Sequence, residues 1–157
     1  MTEPAPSRCL LAVDLGLTTG LALFSGDGRL QWYRSQHFAD PPALRRAVHR
    51  LLGQIPDLAI ICVEGGGPIC AIWEKEAARR GIPLKRIAAE TWRKRLLYAR
   101  DQRSGRQAKR KAEELARQVI EWSQAARPTS LRHDASDAIL IGLWGVLDAG
   151  WLAAPPT

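Results

Sequence analysis

Asp14 closes the apolar run Leu10-Leu11-Ala12-Val13, and Glu64 closes the run Ile60-Ile61-Cys62-Val63. A carboxylate at the end of a buried strand is drawn toward low dielectric, where an unpaired charge is costly. Open sheets place their ligand crevice at such strand ends; taken singly, each acid also reads as a strand cap that faces water. Asp134 and Asp137 stand at i and i+3 and share a face with Ala138, Ile141 and Gly145 on a segment that is apolar nearly all round. Asp134 suits a first helical turn, where the macrodipole contributes about 0.3–1 kcal/mol, but that reason does not extend to Asp137. Like charges about 4 Å apart repel by roughly 4 kcal/mol at an effective dielectric near 20, so four converging carboxylates call for cations. Magnesium prefers carboxylate oxygens and keeps waters for phosphates, and two metals about 3.5–4 Å apart stabilise both the attacking and the leaving oxygen of a phosphodiester displacement. Two magnesium ions per site, replaceable by manganese, are therefore expected on Asp14, Glu64, Asp134 and Asp137.

Phosphate chemistry needs positive charge nearby, and the chain concentrates it. The formal net charge is +7, from 23 Lys and Arg against 16 Asp and Glu. Between Arg93 and Lys111 stand nine basic residues and one acid, Asp101, while the rest of the chain is close to neutral. Such a segment is the footprint of a polyanion-binding arm, with the alternative of a solvated charged surface. The expected nucleic-acid contacts are Lys94, Arg95, Arg100, Arg103, Arg106, Lys109, Arg110 and Lys111. Glu113 and Glu114 lie within i,i+4 reach of Lys109 and Arg110, so part of this charge is open to internal pairing.

The elements that must position these groups follow from local patterning. Residues 8–14 read as a buried strand, and 21–25 and 29–36 as two further strands divided by Ser25-Gly26-Asp27-Gly28, an antiparallel meander. Asp40-Pro41-Pro42 opens a helix with Leu44, Val48, Leu51 and Leu52 on one face. Residues 58–64 form a second apolar strand, the glycines 65–67 lead into a helix that stops near Arg80 and Gly81, and 84–88 form a last short strand. Thr91 is a candidate cap for a short helix to Leu97. Residues 100–107 lack apolar periodicity and read as a mobile loop, followed by a helix with the stripe Ala108, Ala112, Leu115, Val119 and Trp122. A final helix covers about 133–147. This order predicts an α/β domain: a mixed five-stranded sheet, three antiparallel strands then two parallel, with helices on both faces. One domain is expected over 1–157, its core spanning about 8–148 between short disordered termini.

With these elements in place, Asp14-Leu15-Gly16-Leu17-Thr18-Thr19-Gly20 (DxGxxTG) resembles, with one residue fewer before the Thr-Gly, the DxGxxxTG opening of the RuvC family of Holliday-junction resolvases, in the ribonuclease H-like superfamily. Val63-Glu64 is similar to the family's second acidic site, and His133-Asp134-Ala135-Ser136-Asp137-Ala138 to its closing DAxDA helix motif. The family proline after the first Asp is Leu15 here, and Gly65 replaces the polar residue that often follows the Glu. The resemblance implies a homodimer on a four-way DNA junction, each subunit nicking one of two strands of like polarity through a magnesium-dependent carboxylate site. It also implies a side chain near the Gly65 loop that wedges into opened base pairs. Trp73 and Ile69 are the nearest candidates, with a core or dimer-interface role as the alternative for Trp73.

Other residues are open to two readings. His133 suits metal binding or water orientation, or simply faces solvent at a helix start. Tyr98 suits base stacking or packing beneath the basic loop. The glycines 65–67 are not followed by GK[ST], so no nucleotide cofactor is expected. The alternative functions are a YqgF-like nuclease acting on structured pre-ribosomal RNA and a nucleic-acid-binding module with a vestigial metal site. A two-domain sugar kinase opens with a similar strand but needs a longer chain. No apolar run approaches the roughly 20 residues that cross a bilayer, and residues 1–8 lack a secretory pattern, so a cytoplasmic protein without membrane contact is expected. Cys9, Cys62 and Cys70 have no CxxC spacing and read as buried free thiols.

Overall fold

The structure is a computed structural model that describes residues 7–98 and 103–156. Its elements are β1 (Cys9–Asp14), β2 (Thr18–Ser25), β3 (Leu30–His37), α1 (Pro41–Gly53), β4 (Leu58–Glu64), α2 (Gly67–Arg79), β5 (Leu84–Ile87), α3 (Ala89–Leu96), α4 (Gly105–Ser123) and α5 (His133–Asp148). The strands form one sheet in the order β3-β2-β1-β4-β5, antiparallel on the β3-β2-β1 side and parallel from β1 through β5. This is the mixed α/β architecture expected from the sequence.

Alternation along the two central strands sorts the core into two layers. Leu10, Ala12 and Cys62 point toward α3, α4 and α5, whereas Leu11, Val13, Ile61 and Val63 point toward α1 and α2. The period-two pattern therefore sends Asp14 and Glu64 to the α5 face, each as the next even-numbered position of its strand. Helix α5 is buried from Ala138 through Leu147. It lies close to the sheet because Gly142 and Gly145 carry no side chain: a Cβ on Gly145 would stand 2.9 Å from Leu10 Cδ1 and 3.0 Å from Cys62 Sγ.

Several local expectations need correction. The segment 100–107 is not loop throughout. Helix α4 begins at Gly105, where the Ser104 hydroxyl accepts from the Gln107 backbone N–H at 3.1 Å. Its buried positions are Ala112, Ala116, Val119 and Ile120, while Trp122 sits at the edge under the Arg29 guanidinium, 4.2 Å from the ring centroid. Helix α3 starts earlier than a Thr91 cap would require, with Ala88 at its N-cap and no side-chain cap bond. Glu113 and Glu114 pair with Arg117 at 3.1 Å and Lys111 at 3.2 Å, not with Lys109 and Arg110.

The chain does not loosen at 148: Trp151 N donates to Val146 O at 2.9 Å, and Arg8 stacks over the Trp151 ring. The disorder expected at the termini otherwise falls on residues 1–6 and 157, outside the described residues. All three cysteines are free, with Cys62 and Cys70 buried and Cys9 half-buried.

Candidate functional site

Strand register brings the first two acids together. Asp14 and Glu64 are direct partners in the parallel β1–β4 pair, and Leu15 N continues the ladder to Glu64 O at 3.2 Å. On the other side Asp14 pairs with Gly20 of β2, and an ideal Cβ on Gly20 would stand 1.8 Å from the Asp134 carbonyl oxygen. Only a glycine lets the first turn of α5 rest on the sheet here. That contact delivers Asp134, and Asp137 one turn on, to the edge where β1 and β4 end.

The electrostatics record this convergence. Burial pushes the Asp14 carboxyl up to about 8, reinforced by the charges of Asp137, Glu64 and Asp134 and by a hydrogen-bonding contact with Glu64. Burial, then Glu64, pushes Asp137 up to about 6, with Arg93 and His133 opposing the rise. Four acids thus feel one another, which is the repulsion a divalent cation relieves. Their hard oxygen donors fit magnesium or manganese in kind. Among the described residues no group of three or more His, Cys, Asp or Glu side chains stands in an arrangement that could hold a metal ion.

Two neutral donors hold the acids. Trp92 Nε1 donates to Glu64 Oε1 at 2.6 Å, from an indole with no solvent exposure, and Ser35 Oγ donates to Asp134 Oδ2. Sequence reasoning missed both residues. Neither carries a local signal, since Ser35 and Asp134 are 99 positions apart and Trp92 and Glu64 are 28 apart.

Two residues of the basic segment, Arg93 and Lys109, lie beside the acids. A cavity of about 200 Å³ is lined by Trp92, Arg93, Lys109, His133, Ser136 and Asp137 among others, so Lys109 and His133 share a wall with a carboxylate. Lys94 and Arg95 are exposed in the last turn of α3, Arg103 is exposed just before α4, and Arg106 and Arg110 are exposed in its first turns. Lys111 is half-buried and paired with Glu114. Arg100 lies outside the described residues. Tyr98 is 71% exposed, which overturns packing beneath the loop. A second cavity, of about 470 Å³, opens between Glu64, Gly65 and Arg86.

Trp73 is not available as a wedge. It is 1% exposed and packs in the α1–α2 layer, because its position on the inner face of α2 points it at the sheet. Ile69 is half-buried against the same layer. No helix among the described residues is long and apolar enough to cross a membrane.

No family model and no curated protein matches the sequence. Among solved structures, the fold is similar to that of T. thermophilus RuvC in complex with Holliday junction substrate, with a TM-score of 0.62 over 96% of this chain and 99% of that one, at 14% sequence identity.

Proposed function

We propose that this chain is a metal-dependent endonuclease that resolves four-way DNA junctions by paired nicks, acting as a homodimer. The observation that carries the reading is the meeting of Asp14, Glu64, Asp134 and Asp137 at one sheet edge, with the pKa values of Asp14 and Asp137 raised by burial and that crowding. The RuvC structure with a similar fold was solved on a Holliday junction, which supports the choice of substrate.

Asp14, Glu64, Asp134 and Asp137 would hold magnesium or manganese, which supplies an activated water and charge neutralisation at phosphate when bound. The chain's own residues do the rest. Trp92 and Ser35 fix the rotamers of Glu64 and Asp134, so that these carboxylates stay oriented without a substrate present. Lys109 and Arg93, which line the cavity that reaches Asp137, would bind the phosphate next to the scissile one. The exposed Arg103, Arg106 and Arg110 draw the arm of the duplex across α4.

The test is incubation with synthetic four-way, duplex and structured-RNA substrates, with and without magnesium. Symmetrical nicking of the junction alone, and only with metal, is expected. Preferential RNA cleavage would replace the reading with an RNA-processing nuclease, and tight binding without cleavage in magnesium or manganese would replace it with a binding module.

A further inference from the structure

The two helices on the far side of the sheet carry a second concentration of positive charge. Helix α1 contains Arg45, Arg46 and Arg50 and no acid. All three are exposed, and among the described residues none has an ion-pair partner. They line an open concavity of about 570 Å³ with His49, Arg79 and Glu76.

Glu76 organises this surface. Its carboxylate receives Arg80 Nε at 2.8 Å, His49 Nδ1 at 2.9 Å and Arg79 at 3.3 Å. Arg80 also donates to the His49 carbonyl at 3.1 Å, tying α2 to α1. Burial pushes the Glu76 carboxyl up, but its bonds from Arg80 and His49 and the charge of Arg79 prevail and hold it below the usual carboxylate range. One carboxylate is thus committed to pinning the two helices, and it leaves the three α1 guanidiniums uncompensated.

Favourable interaction with a helix C-terminus accounts for Arg50 and Arg79, which lie in last turns. It does not account for Arg45 and Arg46 in mid-helix; Arg46 stands at i,i+4 from Arg50, where like charges are unfavourable unless an anion meets them. The lining includes no aromatic or aliphatic anchor of the kind that carries protein–protein affinity. Guanidiniums without apolar anchors fit a phosphate backbone.

Topology sets the distance from the carboxylates. Helix α1 runs toward the start of β4 and α2 toward the start of β5, whereas Glu64 ends β4. Arg45 and Arg46 stand about midway along α1, on the sheet face opposite the one that Asp14 and Glu64 share with α5, so the sheet lies between this surface and the acids.

We propose that the Arg45, Arg46 and Arg50 face is a second phosphate-binding surface, which engages a nucleic-acid arm leaving the carboxylate site on the side opposite α4. This rests on the chain being a nucleic-acid enzyme, as argued above. A branched substrate sends arms away on more than one side, and the two basic surfaces then hold different arms.

The test compares wild type with Arg45→Ala/Arg46→Ala/Arg50→Ala on junctions whose arms are about 20 or about 5 base pairs long, with affinity measured over a range of salt. On long arms the triple variant should bind more weakly, and its log–log salt slope should flatten by roughly 0.9 for each phosphate that is no longer neutralised, up to about three units. On short arms affinity should match wild type, and the rate of nicking once bound should be unchanged on both. Equal affinity and slope on long arms would overturn the surface, as would an equal loss on long and short arms. If the alanine variant fails to fold by circular dichroism, the Arg→Gln triple replaces it. A wild type that binds long-armed DNA without cutting it contradicts the nuclease reading and leaves the slope comparison standing. A wild type that binds no nucleic acid overturns both, and binding of polyglutamate but not DNA at this face assigns it to an acidic protein instead.

Discussion

The Trp92 indole N–H meets Glu64 Oε1 at 2.6 Å from a fully buried ring, so one oxygen of a candidate metal ligand is held by a donor that cannot ionise or leave. Carboxylates in such sites are commonly oriented by outer partners, and loss of one costs about 10–100-fold in metal affinity or activity. Trp92→Phe keeps most of the buried ring and deletes the donor. It should weaken manganese binding, read by calorimetry, by about that factor while thermal stability falls only modestly. Unchanged manganese affinity would reduce Trp92 to a packing residue.

Gly20 faces the Asp134 carbonyl so closely that an added Cβ would stand 1.8 Å from it. Gly20→Ala must push the first turn of α5 off the sheet. The expected result is a loss of about 1–3 kcal/mol or more in denaturant unfolding, together with loss of cleavage. A variant that keeps wild-type stability and cleavage would mean that α5 does not sit on β2 in this way.

These two contacts mark the limit of what the sequence shows. Asp14 and Glu64 were legible because each is a charge at the end of an unbroken apolar run, and Asp137 because it interrupts a helix that is otherwise apolar. The sheet order follows from the same patterns. Ser35 and Trp92 were not legible, since their partners come from remote elements that folding alone brings near. The start of α4 was missed for another reason. Its first turns stand clear of the core, so they carry no apolar stripe, although Ser104-Gly105-Arg106-Gln107 has the Ser-x-x-Gln form of a capping box. The α1 arginines were hidden because acids elsewhere in the chain cancel them in any count of net charge, although those acids do not stand beside them on the folded surface.

The raised Asp14 and Asp137 carboxyls make a prediction about pH. A carboxyl at about 8 in the folded state and near its ordinary value of about 3.9 when unfolded favours folding while it is protonated. Its contribution is complete below the unfolded value and is lost as pH rises toward about 8; Asp137 adds a loss that ends near 6. Metal-free protein should therefore lose thermal stability between about pH 5 and about pH 8, apart from trends set by other groups. Asp14→Asn should flatten that decline, and magnesium should raise the melting temperature more at the upper end of this range than at the lower. A decline of the same steepness in Asp14→Asn would show that Asp14 is not the group responsible.

Four carboxylates at one sheet edge carry out the chemistry in this proposal, and the basic surfaces carry out the binding. The two roles separate in the single-turnover rate of junction nicking in magnesium, taken beside junction affinity, for Asp14→Asn, Glu64→Gln and Asp137→Asn. Each variant removes one metal ligand and one charge that repels phosphate. Nicking should fall to background in all three, while affinity is unchanged or slightly tighter. Near-normal nicking by any one of them would contradict the four-carboxylate site.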